Sequence, residues 1–297
     1  MRQFLSFLRA VLSDLSLSFA QVQVFISDPK LVAKLKKDFK NLVTEAIKIN
    51  PFVKEWVKQS GFYPRNWQAK SVTEEILKLT QLFPGINLSQ VEALVSELIV
   101  SREADGIALF PKLSYLGELW RINDPFGTGY SEVLKKLLGL ISGSRSLRNY
   151  LYGLASGPHH IRIQADVQTQ IIWLEENTPG DVLVLPFNFG NLYAGWSARS
   201  ARWEAFHNNQ LPLTSAHVAV LLLLMPDRFS AISSEQLFIY CPGDEYEGLL
   251  GGPSGDWSHC PYFNFHSSPD DTLVFHANKW PGTVEGDFGS VVAFFGV

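Results

Sequence analysis

Ten consecutive residues in the second half of the chain constrain its fold more than any other feature. Ala216 to Met225 holds no formal charge, and only His217 interrupts its apolar character. Thr214 or Ser215 stands in front of it as a helix cap, and Pro226 ends it. A helix that is apolar on every side has no face for water, so the segment predicts a helix inside a core. Its continuous apolar run, Val218 to Met225, falls far short of the ~20 residues that cross a bilayer. Near the N-terminus, Phe4, Leu5, Phe7 and Leu8 recur at helical spacing and are followed by Arg9 and Asp14. That pattern reads as an amphipathic helix rather than a secretory leader. The expected location is the cytoplasm, with no membrane partner.

Other elements gather around this helix. Asp28-Pro29 reads as the N-cap and first residue of a helix through Leu31, Leu35, Phe39, Leu42 and Ile47. Ser71 with Glu74, and Ser89 with Glu92, read as capping boxes that each open a helix. Ser131 to Ile141 places Val133, Leu134, Leu137, Leu138 and Ile141 on one stripe. Residues 104–128 read as irregular. After Ser156-Gly157-Pro158 the pattern changes: Ile161 and Ile163 alternate as in a strand, and Val182 to Leu185 reads as a short buried one. Asp166 to Leu174 and Ser197 to His207 read as helices, and from Leu237 onward four short strand patterns follow. The expectation is an α+β protein with a helical N-terminal half and a mixed α+β C-terminal half holding a mainly antiparallel sheet. The expected division is a helical extension over 1–60, a helical domain over 61–157 and an α+β domain over 158–297.

Charge divides along the same line. Residues 1–150 carry 20 basic and 14 acidic side chains, a formal +6, while residues 151–297 carry 5 and 15, a formal −10. All seven His and both Cys lie in the second half. The basic helix face of Lys34, Lys36, Lys37 and Lys40 has no aromatic interleaving, so no nucleic-acid partner is expected. Docking of the basic half on the acidic half is the alternative use for such a split.

The reactive side chains concentrate between Cys241 and His276. Cys241, Asp244, Glu245, Glu247, Asp256, His259, Cys260, His266 and His276 include every zinc-ligating type, but no CxxC or HxxxH spacing joins them. No metal is expected. Asp244 and Glu245 follow a strand pattern and are candidates for an acid–base pair. Arg199 and Arg202 share one helix face and are candidates for holding a carboxylate or phosphate. Gly248 to Gly255 lacks the Lys and following helix of a P-loop, and Gly195-Trp196-Ser197 does not complete a nucleophile elbow, so no cofactor is expected.

The stretches "GFYPRNWQAKSVTEEILKLTQLFPGI", "PHHIRIQADVQTQ", "PGDVLVLPFNFGNLYAGWSARSARWEAF", "LLLLMPDRF", "IYCPGDEY" and "DFGSVVAF" carry a resemblance over about residues 61–297. They resemble a family of uncharacterised bacterial proteins, mainly from candidate-phylum genomes. Residues 203–297 are also similar to a second bacterial domain family of unknown function. The resemblance implies a bacterial cytosolic setting and transfers no catalytic role. It adds Tyr246 to Arg199, Arg202, Asp244 and Glu245, because all five fall within the matching stretches. With no complete catalytic constellation, the expected function is a non-enzymatic binding protein with a protein partner or a small anionic ligand. The rival expectation is a hydrolase or transferase acting on a small anionic substrate, with its site in the C-terminal half.

Overall fold

The computed structural model describes residues 27–30, 32–34, 37–38, 50–61, 63–64, 67–151, 160–229, 237–247, 257–266 and 272–295. The chain forms two units, Met1–Ile49 and Asn50–Val297. In the first, residues 29–30, 32–34 and 37–38 are helical, and Lys30 N donates to Asp28 Oδ1 at 2.8 Å, as a cap requires. The amphipathic stretch before Ser27 and the expected helix beyond Asp38 lie outside the described residues.

The second unit is built on a four-stranded sheet ordered β1 (Gly106–Pro111), β4 (Val182–Asn188), β11 (Val292–Phe294), β5 (Gln210–Pro212). Every neighbouring pair in it is antiparallel, and Ala108 lies opposite Leu185. A five-stranded sheet is ordered β10 (Phe288–Ser290), β6 (Phe238–Tyr240), β8 (Cys260–His266), β9 (Thr272–Lys279), β2 (Leu147–Asn149). Its outer pairs are parallel and its inner pairs antiparallel, so it is mixed. A short antiparallel pair joins β3 (Ile161–Ile163) to β7 (Asp244–Tyr246).

Helices close the core. The apolar segment forms α7 (Ser215–Leu224), capped by the Thr214 side chain, and all ten of its residues are buried. It packs on β1 and on α4 (Tyr130–Ser144), whose expected stripe of Val133, Leu134, Leu137, Leu138 and Ile141 faces the core. Ser71 and Glu74 form the predicted capping box at the start of α1 (Val72–Leu82). The second expected box does not form: α2 (Val91–Glu97) starts one residue late for it, with Gln90 at the N-cap and no side-chain cap, and the Ser89 hydroxyl donates to Asn87 Oδ1 at 2.8 Å. The short α3 (Leu113–Trp120) is held at its N-terminus by Glu175 from α5 (Ala165–Asn177), whose carboxylate accepts from Leu113 N, Ser114 N and Ser114 Oγ.

The expected helical N-terminal half is overturned. The protein is α+β, but strands from the first half stand in both sheets with partners from the second: β1 with β4, and β2 with β9. The sequence pattern conceals β1 because the last four of its six residues are buried, leaving no alternation to read, and Gly106 and Pro111 mimic a loop. β2 has three residues, too few for any period.

Candidate functional site

The five residues singled out by sequence lie close in the fold but serve different contacts. Asp244, Glu245 and Tyr246 form β7, so their side chains alternate. Asp244 points inward, where its Oδ2 accepts from Tyr130 Oη and from Ser215 N at the start of α7, each at 2.7 Å. Burial pushes this carboxyl up to about 7, against the pull of the Ser215 and Tyr130 hydrogen bonds. Glu245 points the other way and lies between Arg162, which donates through Nε and Nη2, and Arg202 at 3.4 Å. Tyr246 is buried.

The arginines are occupied as well. Arg202 lies on α6 (Ala198–His207) and donates to the Pro242 and Asp244 carbonyls, which fixes the turn into β7. Arg199 pairs with Glu55 and stacks over the Phe52 ring at 4.6 Å. An anion at either arginine would have to displace a carboxylate of this chain. Cys241 and Cys260 are free and buried, and burial pushes the first thiol well up and the second to about 12. Neither is a ready nucleophile. Among the described residues no group of three or more His, Cys, Asp or Glu is placed to hold a metal ion.

A cleft of about 570 Å³ opens at one end of the four-stranded sheet, on residues that sequence reading passed over. Its first wall is the loop before β1, with Glu103 and Ser101. Asn188 at the end of β4 pins that loop by donating from Nδ2 to the Glu103 carbonyl at 2.8 Å. The same Asn188 accepts from Gly190 N and Leu192 N through Oδ1, which turns the chain toward Tyr193 and Trp196. Gly195 sits at φ +80° with its Cα against Val57 O, where a Cβ would lie only 2.1 Å from that oxygen, so only glycine fits there. The rings of Tyr193 and Trp196 meet edge to face at 5.8 Å.

The opposite wall comes from the turn between α6 and β5. Glu204 enters from α6, with one carboxylate oxygen accepting from Asn50 Nδ2 at 3.0 Å. Asn208, Asn209 and Gln210 follow, Asn209 in the left-handed conformation that Asn tolerates. Gln210 is only 3% exposed, yet it lines the cleft: its Oε1 accepts from Tyr193 Oη at 2.8 Å, leaving Nε2 open. Burial pushes the Tyr193 phenol up to about 12, a shift increased by the charges of Glu204 and Glu103 and opposed by hydrogen bonds with Asn208 and Gln210. Both carboxylates therefore act on one spot. Among the described residues no Lys, Arg or His lines this cleft. The legible signal was the run Asn188 to Trp196, two glycines and three aromatics between a strand and a helix.

The chain matches no family model, no curated protein and no solved structure. No helix among the described residues is long and apolar enough to cross a membrane.

Proposed function

We propose that this protein is a non-enzymatic binding protein for a neutral, polyhydroxylated small molecule, a sugar, held in the cleft between Glu103 and Glu204. One observation carries the reading: aromatic faces stand beside three carboxamides and two carboxylates, with no basic side chain in the lining among the described residues. A sugar ring presents flat C–H faces that lie on aromatic rings, and rim hydroxyls that both donate and accept. Carboxylates accept from such hydroxyls, and the open Gln210 Nε2 donates to them. An anionic ligand would meet only negative charge here, and the two arginines once assigned to it are already paired. The bacterial resemblance over residues 61–297 and a cytoplasmic setting belong to the same proposal.

Isothermal titration with neutral monosaccharides, and with inorganic phosphate as control, tests it. Saturable sugar binding is expected, weakened at least tenfold by Trp196→Ala, with no phosphate response. Phosphate binding lost in Arg199→Ala or Arg202→Ala would contradict it. A second reading, hydrolysis of a glycosidic bond, is favoured by two carboxylates lining one cleft, the pairing that such chemistry uses. New reducing ends released from oligosaccharides, and lost in Glu204→Gln, would select it.

A further inference from the structure

A second pocket, of about 270 Å³, adjoins the first. Phe295 lines both, standing at the boundary between them. The second pocket repeats one part of the chemistry of the first, an aromatic face beside a carboxamide. Trp173 supplies an aromatic face and is 60% exposed, far more than packing on its helix requires. Asn177, one turn further along α5, donates from Nδ2 to the Trp173 carbonyl at 2.7 Å, which leaves its Oδ1 acceptor open. Thr178 adds a hydroxyl, and Leu174 and Leu185 form an apolar floor. Unlike the first cleft, it has no charged side chain in its lining among the described residues.

Resting on the sugar reading of the first cleft, we infer that the ligand is an oligosaccharide, with Trp173 the stacking platform of a second subsite beyond Phe295. Two adjacent pockets that each set an aromatic face beside a carboxamide fit a ligand whose chemical unit repeats. An elongated amine would need acidic groups in both pockets, and the second has none. An apolar peptide would leave the carboxamides and carboxylates of the first pocket without partners, a cost that such sites turn into rejection.

The probes are three neutral series titrated calorimetrically into the full chain: glucose to cellotetraose, glucose to maltotetraose, and N-acetylglucosamine to its β-1,4 tetramer. In one series the tetramer is expected to bind at least tenfold more tightly than the monomer. Trp173→Ala should remove that gain and leave the monomer affinity unchanged, while Trp173→Phe retains most of it. Because Trp173 is exposed, an unchanged melting temperature in both variants is expected and confirms that they fold. A monomer that binds with no gain from its oligomers, or a gain that survives Trp173→Ala, would overturn the second subsite and leave the first cleft standing. No binding in any series, or oligomer binding indifferent to Trp196→Ala, would overturn both.

Discussion

Asp244 keeps its proton in the folded chain up to about pH 7, whereas an exposed aspartate loses it near 4. Glu75, buried against Leu109 N, behaves alike up to about 8. Between the ordinary and the raised value the native state binds more protons than the unfolded one, so each group lowers stability as pH rises. His217 acts in the opposite sense: burial depresses it to about 4, so stability rises with pH between about 4 and 6.5. Above pH 6.5 that contribution is complete and the two acids dominate. Stability should therefore fall from pH 6.5 to 8, with Asp244 accounting for just under ~1 kcal/mol of the loss. Chemical denaturation of Asp244→Asn should show a shallower slope over that window, and an unchanged slope would refute the assignment. Arg202 gives a companion test. Replacing it with Ala removes the clamp on the turn into β7 and should cost about 2–3 kcal/mol, because its hydrogen bonds are charge-assisted. Sugar affinity should stay within twofold, since Arg202 does not line the cleft.

Elements divide by how much of their cause is local. The cap and the apolar character of α7 are both local, and both were readable: Thr214 Oγ1 accepts from His217 N and bonds its Nδ1. Thr214→Ala should cost about 1–2 kcal/mol in urea denaturation. Leu221→Ala, which opens a cavity in the core, should cost about 2–5 kcal/mol. Ser71 and Ser89 make a stricter comparison, because the two capping signatures look alike in sequence and only the first caps its helix. Ser71→Ala should lower the melting temperature and Ser89→Ala should not. β1 and β2 were illegible because their conformation is dictated by distant partners. The cleft was hidden in the same way. Glu103, Tyr193, Glu204 and Gln210 are widely spaced in sequence, and three loop geometries bring them together. Asp244, Glu245, Arg199 and Arg202 drew notice because charge clusters are visible in sequence, whereas the partners each one takes in the fold are not.

At the scale of the molecule, the charge split does not mark two docking bodies. β1 and β2 join the halves by main-chain pairing inside Asn50–Val297, so a division between residues 150 and 151 cuts across both sheets. Residues 1–150 and 151–297 expressed apart should each lack a cooperative thermal transition, because each leaves buried strand edges without partners. A cooperative transition in 151–297 alone would show that the second half is self-sufficient. The same assembly places the cleft at the meeting of β4, β5 and β11, where loops from both halves complete its walls. That cleft is the centre of the functional account, and the indole of Trp196 reports on it most directly. In a two-dimensional ¹H–¹⁵N spectrum of the full chain, titration with a neutral oligosaccharide should shift the Trp196 side-chain resonance saturably while the Arg202 Nε resonance stays in place. A Trp196 signal that does not move, with phosphate shifting Arg199 or Arg202 instead, would contradict the account.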